Sequence, residues 1–251
     1  MTSFKHFTFV LLAWVGAAQA QMGPCASPNG PLLPDLIVDK RALRTDRSIT
    51  QEYIAADSCQ IIEGCVTISG FRRLLRFTTT TPNIGTTALV IGAPAECSLL
   101  FHFSECHGHY HLEEYADYRL WTKTGFRIWR QHRDWSVPAS ASTNQLLLAT
   151  LSDAGELITG RKQGFCMLDS TPYIKSPVPP GFHDCISNQG ISAGWADVYD
   201  KGLDCQFIDV TGLAPGRYTL EIEVNSDRVL PESDYRNNST SVAVKIPPVA
   251  N

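Results

Sequence analysis

The chain contains eight cysteines, an even set that constrains its fold more than any other feature of the sequence. They are Cys25, Cys59, Cys65, Cys97, Cys106, Cys166, Cys185 and Cys205. Disulfides persist in exported proteins and cross-link loop-rich domains, so we expect all eight to be paired. No two cysteines form a C-x-x-C pair, which argues against a zinc ribbon or a thioredoxin-like redox site.

The N-terminus has the features of an export signal. Lys5 supplies an early positive charge, residues 7–18 are mostly apolar, and Ala18-Gln19-Ala20 is a small-x-small cleavage site. We therefore predict a signal peptide over 1–20, an extended leader over 21–33, one folded domain over 34–247 and a tail over 248–251. The apolar run is shorter than the roughly 20 residues that cross a bilayer, and no later segment is long and apolar enough. The sequence thus predicts a secreted, soluble protein.

Charge and composition bound the partners and the size of the core. The formal net charge is −4 and no basic run accompanies it, so neither nucleic acid nor an anionic membrane is an expected partner. Hydrophobic residues make up 43% of the chain, enough for a substantial core.

The apolar pattern predicts short strands separated by Gly, Pro, Asn and Asp clusters. The predicted strands are Asp35 to Asp39, Arg73 to Thr78, Ala88 to Ile91, His107 to Tyr115, Tyr118 to Trp121, Leu146 to Ala149, Tyr218 to Val224 and Ser241 to Ile246. Alternation is clearest from Tyr218 to Val224, where we expect one face in the core and the other in water. No long amphipathic helical period was found. We predict a mostly β, antiparallel β-sandwich-like single domain with long loops and few short helices, cross-linked by disulfides.

Three of the seven histidines fall within five positions, at His107, His109 and His111. In an extended strand this spacing of two places all three imidazoles on one side. Neutral imidazoles are good ligands for copper or zinc, so the sequence predicts a transition-metal site. A zinc hydrolase would also need a general-base glutamate. Glu113 is predicted to share the histidine face, but no H-E-x-x-H motif occurs.

The segment CHGHYH, followed by an acidic strand, resembles the copper-binding motif of the lysyl oxidase catalytic domain. Further segments that resemble this family follow in the same order, from about Pro34 to about Ile246. They are RRLLRF at Arg72 to Phe77, GRKQGFC at Gly160 to Cys166, GWADVYDKGLDCQFIDVTGLAPGRY at Gly194 to Tyr218, and PESDYRNN at Pro231 to Asn238. The resemblance favours copper over zinc for the histidine site.

The resemblance also implies a quinone cofactor, lysyl tyrosylquinone, made from Lys162 and Tyr199 by copper and oxygen. It implies oxidative deamination of primary amines, above all lysine side chains of proteins, to aldehydes. Molecular oxygen would be the second substrate, and hydrogen peroxide and ammonia would be released. A base must remove a proton from the substrate, and the sequence does not choose among Asp169, Asp197 and Asp204.

The chain departs from animal members of the family at several positions. Ser170 to Tyr173 lacks a cysteine, Trp195 replaces another, and Ser104 stands where the family has a histidine. These departures put collagen and elastin in question as substrates more than they affect the copper site. By family analogy we expect the disulfides Cys59–Cys65 and Cys106–Cys185. Elimination then leaves Cys166–Cys205 and Cys25–Cys97.

The acidic segment near the C-terminus predicts a structural calcium site, since it gathers oxygen ligands around a turn. The expected ligands there are Glu232, Asp234, Asn237 and Asn238, and the resemblance adds Asp35 and the backbone carbonyl of Leu36. The competing interpretation is an ordinary acidic turn that is glycosylated, because Asn237 and Asn238 each begin an acceptor sequon.

A non-enzymatic binding module is the main alternative to an enzyme. The stretch from Gly216 to Ile246 also resembles an adhesive immunoglobulin-like repeat, which needs no catalysis. Such a module has no reason to keep the three histidines together with Lys162 and Tyr199.

Overall fold

The structure is a computed structural model that describes residues 25, 32–160, 165–175 and 177–249. The predicted signal peptide, most of the predicted leader and Lys162 lie outside these residues. Within the described ranges, no helix combines the length and the apolar character needed to cross a membrane.

The described part of the chain is mostly β, with a few helices between the strands. The strands are β1 Arg47–Ile54, β2 Gly70–Phe77, β3 Thr79–Pro82, β4 Leu89–Gly92, β5 Phe101–Ser104, β6 His109–Leu112, β7 Ala116–Trp121, β8 Leu157–Thr159, β9 Thr171–Pro172, β10 Gln189–Ile191, β11 Trp195–Tyr199, β12 Phe207–Asp209, β13 Gly216–Val224 and β14 Ser239–Ile246. The helices are α1 Lys40–Thr45, α2 Cys59–Ile62, α3 Lys123–His132 and α4 Ser142–Asp153, with a short 3₁₀ helix at Pro94–Glu96.

All the strand pairs are antiparallel, which confirms the predicted fold class. The largest sheet has the order β14-β13-β7-β8, and two three-stranded sheets have the orders β1-β2-β12 and β3-β11-β9. Two two-stranded sheets, β10-β4 and β5-β6, complete the set found in the described residues. The main core cluster contains Leu112 of β6, Tyr199 of β11 and Phe165, and so joins the elements that carry the predicted site.

Three of the predictions of strands and helices are wrong. Asp35 to Asp39 is not a strand, since Leu36 forms only an isolated β-bridge with Asn83 and Asp39 caps α1. Leu146 to Ala149 is not a strand but the middle of α4. A four-residue apolar run does not distinguish a strand from a helix, and the pattern of the flanking residues did not decide it. The amphipathic helix α3 was also missed, although Thr122 caps it by accepting a hydrogen bond from the Gly125 amide at 3.1 Å.

The second face of β13 is buried, contrary to the prediction that it would face water. Glu221 and Glu223 are 0% and 4% exposed because α3 packs over them. Arg133, which follows α3, donates to Glu223 at 2.5 Å, and Arg119 of β7 donates to the same carboxylate at 2.7 Å. Two guanidinium groups compensate for the burial of these carboxylates. The alternation of polar and apolar residues along β13 therefore does not show that one of its faces is exposed to solvent.

The described residues contain four disulfides, and three of the predicted pairings are wrong. The structure pairs Cys25–Cys97, as expected, but it replaces Cys59–Cys65, Cys106–Cys185 and Cys166–Cys205 with Cys59–Cys106, Cys65–Cys205 and Cys166–Cys185. After α2 the chain reverses at Gly64, which has a φ of 70°. This turn carries Cys65 into a small core cluster that also contains Cys205, and away from Cys59.

Candidate metal centre

The three histidines converge, although they do not all lie on one extended strand as predicted. His109 and His111 lie on β6, whereas His107 lies in the preceding turn, where Gly108 adopts a φ of 68°. The ligand nitrogens of all three lie within 4.8 Å of one another. The Nε2 atoms of His109 and His111 are 3.1 Å apart. This set of closely spaced imidazole nitrogens fits one transition-metal ion such as copper or zinc.

The His107 ring is held from both sides by carboxylates. Its Nδ1 atom lies 3.0 Å from Oε1 of Glu63, and its Nε2 atom lies 3.6 Å from Oδ2 of Asp204. Ser104 donates from its hydroxyl to the same Glu63 oxygen at 2.7 Å. Carboxylates beside metal-binding histidines orient the ring and increase its basicity. The sequence did not indicate a role for Glu63, because this residue is far from the histidines along the chain and only folding brings it beside His107.

Two disulfides fix this arrangement covalently. Cys59–Cys106 ties α2 to the residue before His107, and Cys65–Cys205 ties the other side of Glu63 to the residue after Asp204. Glu63, Cys65 and Cys205 also form a compact donor group, but their two sulfur atoms are joined in the disulfide and are not thiolate ligands. The histidine group is therefore the metal site that the described residues support.

A pocket of about 400 Å³ opens beside the histidines and reaches β11. Its lining consists of His107, His109, His111, Phe165, Cys166, Leu168, Ser170, Cys185, Asp197, Val198, Tyr199, Leu203 and Asp204. The predicted metal ligands and Tyr199 thus border the same space. Lys162 lies outside the described residues, between Gly160 and Phe165 in the sequence.

Tyr199 lines this pocket and is buried, with 6% of its surface exposed. Its hydroxyl donates to the backbone oxygen of Cys166 at 3.0 Å and to the Asp197 carboxylate. The Phe165 ring lies 4.1 Å from the Tyr199 ring, centroid to centroid. Burial, with the nearby charge of Asp197, raises the pKa of the Tyr199 phenol well above its usual value.

The three aspartates that sequence reasoning left open occupy different environments. Asp169 organises a loop, since it accepts from the Gly181 amide at 2.7 Å and from the Ser192 hydroxyl at 2.7 Å. Asp204 is 44% exposed at its side chain and accepts from Gln60 at 2.8 Å. Asp197 is 2% exposed, and burial raises its pKa to about 6 against the opposing effect of its hydrogen bonds.

The residues predicted to bind calcium come together in part. Oε2 of Glu232 accepts from the Leu36 amide at 2.6 Å, and Asn237 donates to Asp35 at 2.8 Å. Asn238 donates to Glu232 at 2.8 Å, which places it in the same cluster.

The side-chain oxygens of Asn237 and Asn238 are both buried without a hydrogen-bond partner. This pair of unpartnered oxygens is what a hard cation would satisfy. Asp234 instead forms an ion pair with Arg236, at 2.8 Å.

Fold and site together define a disulfide-linked, antiparallel β protein with a cluster of three histidines that could hold a metal ion, beside a buried tyrosine. The lysyl oxidase family model matches residues 34–137 and 145–247. The chain belongs to the lysyl oxidase family.

Similar proteins carry names from the same family. The chain is 28% identical over 220 residues to protein-lysine 6-oxidase of Bos taurus, a match that covers 82% of this chain and 44% of the bovine protein. It is 28% identical over 221 residues to lysyl oxidase homolog 1 of Homo sapiens, covering 84% of this chain and 33% of the human protein. Protein-lysine 6-oxidase of Sus scrofa is 28% identical over 220 residues, covering 82% of this chain and 74% of the pig sequence. The chain therefore spans less than half the length of the bovine and human relatives.

Proposed function

We propose that this protein is a secreted, copper-dependent amine oxidase. It deaminates primary amines oxidatively, above all the lysine side chains of proteins, to aldehydes, with molecular oxygen as the oxidant and hydrogen peroxide and ammonia as by-products. The observation that carries the proposal is the single pocket bordered by the three histidines and by Tyr199. Family membership and the names of the relatives support the same chemistry.

Copper would be held by His107, His109 and His111. His107 would bind through Nε2, because Nδ1 lies closer to a carboxylate, at 3.0 Å from Glu63, than Nε2 does, at 3.6 Å from Asp204. An imidazole set of this kind suits copper and zinc equally, and the lysyl oxidase resemblance is the reason for proposing copper. His111 is buried, which limits the access of water to its imidazole.

Lys162 and Tyr199 would form the quinone cofactor. When bound, copper and the quinone supply the redox chemistry and an electrophilic carbonyl, which ordinary side chains lack. The chain itself holds the Tyr199 ring in place through its contact with Phe165 and its hydrogen bonds to Cys166 and Asp197. Such fixed positioning is the protein's main contribution to chemistry of this type.

Three other residues that line the pocket suit a lysine side chain. Leu168 and Leu203 provide apolar surface for the aliphatic stem, while the partly exposed Asp204 provides negative charge for the ammonium head. A long cationic side chain combines these two requirements, because its stem is apolar and its end is charged.

The direct test is formation of the cofactor followed by turnover. Purified protein given copper and oxygen should develop a visible quinone absorbance, then release peroxide when n-butylamine or a lysine-containing peptide is added. Tyr199→Phe should bind copper but form no quinone, whereas Tyr53→Phe, at a position 65% exposed, should behave as wild type. Full peroxide release by Tyr199→Phe would refute the assignment.

Peptide mapping tests the cross-link itself. Trypsin should release 163–175 and 176–201 as separate peptides from unmodified chain, but 162–175 joined to 176–201 from chain with the cofactor. The Cys166–Cys185 disulfide joins the same two peptides, so the digest must be reduced first. Separate unmodified peptides from active, copper-loaded protein would rule out the cofactor.

The non-catalytic alternative is an extracellular metal-binding module with an immunoglobulin-like β13-β14 hairpin. It requires copper binding without quinone formation, an outcome that the same mapping experiment distinguishes.

We also propose a structural calcium site formed by Asp35, the Leu36 carbonyl, Glu232, Asp234, Asn237 and Asn238. The two unpartnered asparagine oxygens support it. Asp234 would have to leave Arg236 to join the ligands. Glycosylation of Asn238 competes poorly with this proposal, because its side chain is 1% exposed and donates to Val224 and Glu232.

A further inference from the structure

We propose that Asp197 is the proton acceptor of this pocket, taking the hydroxyl proton of Tyr199 while that ring is converted to the quinone. The inference rests on the proposed function. Asp197 is one of the three aspartates that the sequence left open for another step, removal of the substrate proton. The transfer breaks the O–H bond of Tyr199 and forms an O–H bond on Oδ2 of Asp197. No electron passes between the two residues.

Strand geometry produces the contact. Asp197 and Tyr199 stand two positions apart on β11, so their side chains emerge on the same face. Both residues are buried, and the Tyr199 hydroxyl donates directly to Oδ2 of Asp197. A proton acceptor must be within hydrogen-bond reach of the proton that it takes, and this carboxylate meets that condition in the resting protein.

The Asp197 carboxylate is oriented by neutral donors. Oδ1 accepts from the Ser170 hydroxyl at 2.7 Å and from the Val198 amide at 2.8 Å, and Oδ2 accepts from the Leu168 amide at 3.1 Å. Among the residues that the structure describes, no arginine or lysine forms an ion pair with Asp197. Glu223, a buried carboxylate of purely structural role, is paired with two arginines. A buried carboxylate without such pairing retains a tendency to bind a proton.

The other two aspartates lack this contact. Asp169 is committed to the amides and hydroxyl of its loop, and Asp204 points to His107 and Gln60. Neither is hydrogen-bonded to the Tyr199 hydroxyl, whose partners are Asp197, Cys166 and Met167.

The relative acidities define when the proton moves. Burial raises the pKa of Asp197 to about 6 and that of Tyr199 well above its usual value, so at neutral pH the proton stays on the phenol. A phenol becomes a strong acid when its ring is oxidised, and Asp197 is then the stronger base. The titratable neighbours whose charges interact with Asp197 are Tyr115, Tyr118 and Tyr199, and the histidines border the same pocket.

The main test measures quinone formation in Asp197→Asn after addition of copper and oxygen to metal-free protein. The rate should fall by about 100-fold with copper content unchanged by metal analysis. Asp200→Asn is the matched control, since Asp200 adjoins Tyr199 in sequence but is exposed, and its rate should equal that of wild type. A wild-type rate in Asp197→Asn, or a slow rate explained by lost copper, would overturn the proposal.

Ser170→Ala tests the same role while keeping the carboxylate. Loss of the Ser170 donor raises the pKa of Asp197, so the acid limb of the rate of quinone formation should move to higher pH, with copper content checked at each pH. An unmoved acid limb would count against Asp197.

A measurement without copper separates this inference from the proposed function. In metal-free protein with ¹³Cζ-labelled tyrosine, the Tyr199 resonance should titrate at lower pH in Asp197→Asn than in wild type, because a neighbouring negative charge is gone. Absence of quinone in wild-type protein would refute the proposed function, whereas unchanged Tyr199 titration in Asp197→Asn would refute the contact on which this inference depends.

Discussion

Oε1 of Glu63 lies 3.0 Å from Nδ1 of His107, and the two residues are brought together by the Cys59–Cys106 disulfide. Replacing Glu63 with Gln removes the charge that orients the His107 imidazole. Copper affinity should fall by roughly 10- to 100-fold, measured by competition with a chelator. Glu105→Gln, an exposed change in the same turn, should leave the affinity unchanged. Equal affinities for Glu63→Gln and wild type would show that the contact does not tune the site.

His109→Ala removes one of three converging nitrogens. Copper retained after dialysis should fall from about one ion per chain to a trace, because two imidazoles do not hold the ion against dilution. His132→Ala, exposed at the end of α3, should retain the full amount. Full copper occupancy in His109→Ala would contradict the assignment of the site.

The double change Cys65→Ala/Cys205→Ala removes a disulfide that links residues 140 positions apart. The free energy of unfolding should fall by about 2–5 kcal/mol, measured by denaturant titration. It should also weaken copper binding, since this disulfide adjoins both Glu63 and Asp204. Cys25→Ala/Cys97→Ala should lower stability without weakening copper binding, because that disulfide does not border the pocket. Equal copper affinity in both double variants would argue against a role for Cys65–Cys205 in positioning Glu63 and Asp204.

The stability of the chain should depend on pH through Glu232. Burial raises the pKa of this carboxyl to about 7, above its usual value of 4.5. The folded state therefore binds the proton more tightly than the unfolded state does, and the associated stability is fully present below pH 4.5 and lost as pH rises through 7.

The size of the Glu232 effect is up to roughly 3 kcal/mol. In the presence of a chelator, Glu232→Gln should flatten the fall in unfolding free energy across this window. An identical slope for variant and wild type would mean that Glu232 does not titrate there.

Saturating calcium should raise the melting temperature by about 5 °C or more relative to chelator. Asp234→Ala should abolish the increase, while Asp153→Ala, exposed at the end of α4, should preserve it. Superimposable wild-type melting curves with calcium and with chelator would refute the calcium site.

Short sequence patterns predicted the features that depend mainly on residues close together in the chain. The alternation in β13 and the close spacing of His107, His109 and His111 are visible in a few consecutive residues, and the structure contains both the strand and the cluster of histidines. The prediction that all three histidines lie on one strand was nevertheless wrong, since Gly108 turns the chain and only His109 and His111 lie on β6.

Features that depend on tertiary packing were not predictable in this way. The burial of Glu221 and Glu223 depends on α3, which packs on them from a distant part of the chain. The disulfide partners and Glu63 depend likewise on long-range packing, for which residue spacing carries no signal. The choice of Asp197 over Asp169 and Asp204 required the positions of their hydrogen-bond partners.

The two disulfides beside Glu63 also impose a sequence of events on maturation. Cys59–Cys106 and Cys65–Cys205 close a covalent ring through the segment that supports His107 and Asp204. A newly made chain with reduced cysteines lacks that ring, and its free thiolates would compete with the imidazoles for copper. We therefore expect oxidation of the cysteines to come before copper binding, and reduction of these two bonds to weaken copper binding at the three histidines.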